Sequence, residues 1–397
     1  MVGIRKIKIT VIALSLVVST LCQGSHLQKK QEMQAKWQKT SSEMKLSAAE
    51  TQIESGQYEQ AEAAVKQSLE MGLNLPQANL MMGKIELARS NFEQAKRCFQ
   101  NYVRFNEKDD NGWFLLGLSC ERLGDNSSAM KWYKKAFEFS PDNTDYILAV
   151  GRIYLAEGNF EQAESLYLEK MASSPADTEL KVAAAQMYLA QDQKDKALQL
   201  YEQASMLRPQ NSDLLEALGS CYILTGQWDK ALNVQQQLYS RCISREEKAG
   251  HLKTMAITAM NAGDYSDAMK YYSSLTSQDR NNAELWLSTG QAALGAGLLR
   301  QAITCSQKVL ELSPDTKEAW LLSGSANYKN GNFLQAATDF QKAADVSQYA
   351  NFAWLMTGRC YEKLGRGKQA QNAYEKAEQF GTGSELGQLL ARANGKD

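Results

Sequence analysis

Small residues recur along this chain at a fixed spacing, and large apolar residues keep register with them. One ladder is alanine: Ala61, Ala95, Ala129, Ala163, Ala197, Ala231, Ala268, Ala302, Ala336 and Ala370, with eight of nine intervals at 34 residues and Ala231 to Ala268 at 37. A second ladder, twelve residues upstream, holds only Gly or Ala: Ala49, Gly83, Gly117, Gly151, Ala185, Gly219, Ala256, Gly290, Gly324 and Gly358. A third runs through Gly56, Gly124, Gly158, Gly226, Gly263, Gly297, Gly331 and Gly365, with Ser90 and Asp192 in the two remaining places. Four residues after most of the alanines comes a ring: Phe99, Tyr133, Tyr167, Tyr201, Tyr272, Phe340 and Tyr374. The i to i+4 spacing puts ring and alanine on one helical face. The pattern predicts two helices per period, A and B. A small residue on each lets them approach closely, and a glycine between them turns the chain. Pro141, Pro175, Pro209 and Pro314 fall between units, where a residue that cannot continue a helix belongs.

The motif Trp113-x-x-Leu116-Gly117, Ala129-x-x-x-Tyr133 and Pro141, repeated near the C-terminus as Trp354, Gly358, Tyr361, Ala370 and Tyr374, resembles the tetratricopeptide-repeat (TPR) family. Trp286 and Trp320 open two further units, whereas the first two units lack the Trp, and Asn126 and Lys194 stand where the family usually has a ring. The resemblance implies an all-α fold, a right-handed superhelical TPR solenoid of about ten helix-turn-helix repeats that bury their faces only against neighbours. Residues 42–248 would hold repeats 1–6 and residues 249–384 repeats 7–10, with a capping helix (385–392) and tail in 385–397. The boundary is the segment CISREEKAGH, which carries the three extra residues and no proline. It reads either as an insertion in a surface turn or as a change of path that divides the stack.

The N-terminus departs from this pattern. Arg5, Lys6 and Lys8 precede an uncharged run of 13 residues, Ile9 to Leu21, short for a membrane span and right for the apolar region of a signal peptide. Three outcomes stay open: acylation at Cys22, cleavage after Gly24, and an uncleaved anchor. The family pattern of bacterial lipoproteins asks for a small residue before the cysteine, where this chain has Leu21. Residues 1–24 are thus taken as the signal peptide and 25–41 as a polar, partly helical tether. The expected location is outside the cytoplasm, periplasmic or outer-membrane associated.

Composition removes other functions. The chain has 44 basic and 45 acidic residues, a net charge of −1, so no concentrated positive footprint recommends nucleic acid. Two histidines, His26 and His251, and seven cysteines without a CxxC pair give no zinc site, and no cofactor or metal is expected. No phosphate loop, nucleophile elbow or HExxH motif occurs. Cys242 with His251 is a weak candidate dyad, and Asp109-Asp110-Asn111-Gly112 a weak calcium loop better read as a turn.

Function would then rest on the concave surface that the resemblance implies, lined by the A helices. Their fifth positions are Leu46, Leu80, Phe114, Leu148, Val182, Glu216, Lys253, Leu287, Leu321 and Leu355; ninth and thirteenth positions add Lys84, Arg122, Arg152, Lys329, Arg359 and Lys363. The apolar row is either packing between neighbouring A helices or the floor of a groove with basic flanks, suited to an amphipathic or extended peptide. The Lys-x-x-x-Asn carboxylate clamp of the family's chaperone-tail binders is missing from the fifth and ninth positions. Expected partners are therefore other proteins or peptides, with membrane association only through an N-terminal lipid or anchor. Two roles fit: a non-catalytic scaffold for envelope machinery such as secretion, pilus or polysaccharide export, or an adaptor recruiting substrates to a separate enzyme such as a glycosyltransferase. The lack of a second domain favours the scaffold.

Overall fold

A computed structural model describes residues 29–71, 75–345 and 347–380, so the signal segment, Cys22 and the expected capping helix lie outside the described residues. Among the described residues there are twenty α-helices and no strand. They pair as A and B in ten units. The first four are α1 (29–54) with α2 (Tyr58–Glu70), α3 (Leu75–Ala88) with α4 (Phe92–Val103), α5 (Asp110–Arg122) with α6 (Asn126–Phe139), and α7 (Thr144–Ala156) with α8 (Phe160–Ser173). Next in chain order come α9 (Thr178–Ala190) and α10 (Lys194–Leu207), then α11 (Ser212–Leu224) with α12 (Trp228–Arg241), and α13 (Arg245–Ala262) with α14 (Tyr265–Gln278). The last three are α15 (Ala283–Gly295) with α16 (Leu299–Leu312), α17 (Lys317–Lys329) with α18 (Phe333–Ala343), and α19 (Ser347–Lys363) with α20 (Gly367–Gln379). This is a helical repeat solenoid. Compactness divides it between Met187 and Tyr188, inside α9, into two units.

Each ladder has a structural counterpart. All ten alanines of the B helices are buried, and so are all ten small residues of the A helices. The reason is direct at Gly117: a Cβ there would come within 2.6 Å of the Tyr133 ring, and one on Gly83 equally close to Phe99. Tyr167 and Tyr374 lie against Gly151 and Gly358 in the same way. The ring therefore closes its own A–B pair, and the glycine exists because the ring occupies the space a side chain would need. Every turn position has positive φ, including the two without glycine, Ser90 at 63° and Asp192 at 57°. Side-chain caps start several helices: Asp125 accepts from Ser128 N at 3.0 Å, Asn211 from Leu214 N at 2.9 Å, and Asn282 from Leu285 N at 3.2 Å.

The insert ends up in a helix. Ser244 caps α13 by accepting from Glu247 N at 3.1 Å, and α13 runs for 18 residues against 13 for α11 and α15. The extra residues lengthen helix A of the seventh pair instead of forming a surface turn. The sixth pair also lacks its ring: Gln235 takes that place, 5% exposed, and its Oε1 lies 2.8 Å from His251 Nδ1 on α13. Residues 29–41, expected as a tether, are helical and continuous with the first repeat helix.

Candidate protein-binding surface

In the first compact unit the helix-A row changes character from pair to pair. Leu46 and Leu80 are buried, whereas Phe114, Leu148 and Val182 are half-buried. Leu46, Leu80 and Met81 floor a cavity of about 490 Å³ between α1 and α3, rimmed by Glu43, Ser47, Glu50 and Gln77. Its rim is acidic. The basic flank expected there, Lys84, is tied by its Nζ to Glu50 Oε1 at 3.1 Å. Phe114 is held in an aromatic cluster, its centroid 5.4 Å from Tyr133 and 5.0 Å from Tyr146. Packing thus uses much of the row that the sequence left open between packing and groove.

The arginines divide. Arg152 gives Nε to Glu121 Oε1 at 3.2 Å and NH2 to Oε2 at 3.1 Å, while Tyr133 donates its hydroxyl to the same carboxylate at 2.5 Å. Burial raises the Glu121 pKa, but the Arg152 and Tyr133 hydrogen bonds outweigh it and hold the carboxyl below its ordinary value. The same neighbourhood pushes the Tyr133 hydroxyl well above its ordinary value, burial first and Glu121 second. Arg152 is therefore a linker between adjacent A helices, not an unpaired flank. Arg122, the last residue of α5, is exposed and makes no ion pair among the described residues.

In the second compact unit Leu321 is buried, Leu287 and Leu355 are half-buried, and Glu216 and Lys253 are exposed. Lys253 sits 3.9 Å from Glu284. Lys329 and Lys363 are exposed at the ends of α17 and α19, and Arg359 is half-buried with NH1 4.0 Å from Met356 Sδ.

The weak chemical candidates separate. Cys242 gives its thiol to Leu238 O at 3.3 Å while His251 faces Gln235, and desolvation raises the Cys242 pKa. Burial likewise raises Cys98, Cys120, Cys221 and Cys305, and takes Cys360 to about 12, so these thiols are poor nucleophiles. Asp109 accepts from the Tyr102 hydroxyl at 2.5 Å and Asp110 from Ser140, which makes the acidic pair turn and packing chemistry.

One pairing went unread in the sequence although its spacing shows it. Lysine follows each repeat tryptophan by 22 residues, as Trp113/Lys135, Trp286/Lys308, Trp320/Lys342 and Trp354/Lys376. In three of these the ammonium stands over the indole, at 3.6 Å for Lys135, 3.9 Å for Lys342 and 4.3 Å for Lys376. Lys308 instead pairs with Glu311 at 2.7 Å, beside a cavity of about 630 Å³ lined by Trp286, Arg280 and the hydroxyl pair Thr276 and Thr289.

Models described as "Tetratricopeptide repeat" match residues 80–144, 147–181 and 188–238. A model of the "Cilia and flagella-associated protein 70 middle TPR-like domain" matches 252–380. Anaphase-promoting complex subunit 3 of Schizosaccharomyces pombe is 24% identical over 111 residues, 28% of this chain and 17% of that protein. BBSome complex member BBS4 of Bos taurus is 35% identical over 72 residues, 18% of this chain and 14% of that protein. The chain thus spans less than a fifth of the length of either relative. A tetratricopeptide repeat protein from Parabacteroides merdae superposes with a TM-score of 0.38 at 19% identity, over 68% of this chain and 98% of that one. Repeat models matching at three separate places agree with the ten-fold register and the paired helices: the chain belongs to the tetratricopeptide-repeat family, whose repeats are protein–protein interaction scaffolds.

Proposed function

We propose that this protein is a non-catalytic scaffold exported to the bacterial cell envelope, where it holds a segment of another protein along its helix-A face. The observation that carries the reading is the cavity between α1 and α3, where an apolar floor of Leu46, Leu80 and Met81 opens between Glu43 and Glu50. Such a site suits a peptide that inserts one apolar side chain and presents basic residues to the rim, since apolar contact supplies anchoring and charge supplies orientation and on-rate. Export is supported by the positive charge and apolar run at residues 5–21.

The test is site-specific photocrosslinking in cells. A crosslinking residue at Gln77, on the cavity rim, is expected to trap a partner, and one at exposed Gln60 on α2 is expected to trap none. Crosslinks from Gln60 alone would move binding off the helix-A face. A reporter fused after residue 40 that is active only outside the cytoplasm is expected to be active, and an inactive one would remove the envelope from the reading.

A further inference from the structure

Thirteen residues of α1, 29–41, precede its first buried residue. Packing begins at Ser42, whose Oγ lies 2.6 Å from Ser68 Oγ, and continues through Leu46, Ala49 and Ile53. On a helix of 3.6 residues per turn, Met33, Trp37 and Met44 form one line on the side opposite those contacts. They are 74%, 66% and 69% exposed. Exposed Lys29 and Lys30 flank that line and exposed Lys36 lies to one side of it, whereas Lys39 falls on the side of Leu46; Glu32 and Glu43 are the acids of 29–44. Residues 29–44 therefore carry +2 in a chain whose total is −1.

We infer that this outer stripe of α1 rests on an anionic lipid surface. Met33, Trp37 and Met44 would lie in the boundary between headgroups and acyl chains, and the lysines against lipid phosphates. Tryptophan suits that boundary because its ring is apolar and its N–H polar, and lysine stems reach past the apolar line to place their charge in the headgroups. Among the described residues no helix is long and apolar enough to cross a membrane, so α1 lies on the surface and does not span it. A narrow stripe on a stretch of net charge +2 binds only weakly by itself, and stable attachment takes two signals. The second would come from the N-terminus, by acylation at Cys22 or by an uncleaved apolar run ending at Leu21. A second copy fits the stripe worse, because in a parallel pair Lys30 would stand against its own copy on the same line as Trp37 and Met44. This inference is independent of what occupies the helix-A face.

Flotation of the purified full chain with vesicles tests it. Vesicles containing phosphatidylglycerol should retain the protein well above pure phosphatidylcholine vesicles, and 0.5 M salt should remove most of the difference. Lys29→Glu with Lys30→Glu and Lys36→Glu should lower partition by about a hundredfold or more, given about fivefold per basic residue at an anionic surface. Met33→Ser with Trp37→Ser and Met44→Ser should lower it by about tenfold, with melting curves unchanged because these side chains are exposed. If a variant does not fold, brominated lipid serves instead: it should quench wild-type tryptophan fluorescence, and Trp37→Phe should lose that quenching. Equal binding to both vesicle types, or unchanged binding of both variants, would overturn the inference. So would self-association in lipid-free buffer that the Met33, Trp37 and Met44 substitutions abolish, since the stripe would then be an interface between copies.

Discussion

Arg152 and Glu121 are joined by two hydrogen bonds across neighbouring A helices, and that link sets how the groove residues respond to charge reversal. Arg152→Glu would place a second carboxylate against Glu121 and is expected to lower the melting temperature. Arg122→Glu, at an exposed helix end, should stay within about 0.5 kcal/mol of wild type. Equal melting shifts for the two would contradict the difference in their surroundings.

The same carboxylate gives a pH signature. Its folded pKa lies below the ordinary value of 4.5, so its contribution is complete above that pH and is lost as pH falls through the folded value. Glu121→Gln should therefore flatten the part of the acid loss of stability that lies below about pH 4.5. Parallel wild-type and variant curves from pH 6 to pH 3 would show that Glu121 contributes nothing there.

Ser90 and Asp192 hold positive φ without being glycine. A left-handed conformation costs a residue bearing a Cβ roughly 1–2 kcal/mol, partly offset by the greater chain entropy of unfolded glycine. Ser90→Gly and Asp192→Gly are each expected to stabilise the fold by about 0.5–1 kcal/mol in chemical denaturation. No gain at either would place the strain elsewhere.

A Cβ on Gly117 would lie 2.6 Å from the Tyr133 ring, closer than side chains pack. Gly117→Val should cost about 1–3 kcal/mol through overpacking. The change should also disturb the Tyr133 hydroxyl bond to Glu121, visible as a loss of the acid-dependent part described above.

Asp339 is fully buried and accepts hydrogen bonds from Ser323 at 2.7 Å, Asn327 at 3.0 Å and Gln335 at 2.8 Å. Asp339→Ala removes the common acceptor and leaves these donors short of a partner, and it should cost about 2–4 kcal/mol. A loss below about 0.5 kcal/mol would mean that water or rearrangement replaces the carboxylate.

The sequence by itself determined the ten helix pairs, their turns and the small-residue contacts. Each of these repeats every 34 residues and depends on local geometry: Gly117 must be small because Tyr133 follows at a fixed distance along the same pair, and the chain turns where it can adopt positive φ. The tertiary structure decided which charges are paired and where the insert goes. Glu121 and Arg152, or Glu50 and Lys84, stand 31 and 34 residues apart, and only the packing of adjacent A helices brings their side chains together. The three extra residues could have formed a loop, but the Ser244 cap on Glu247 makes them helix. The exposed line of Met33, Trp37 and Met44 was likewise hidden within a polar stretch, because a helical face becomes visible only once the residues opposite it are seen to pack.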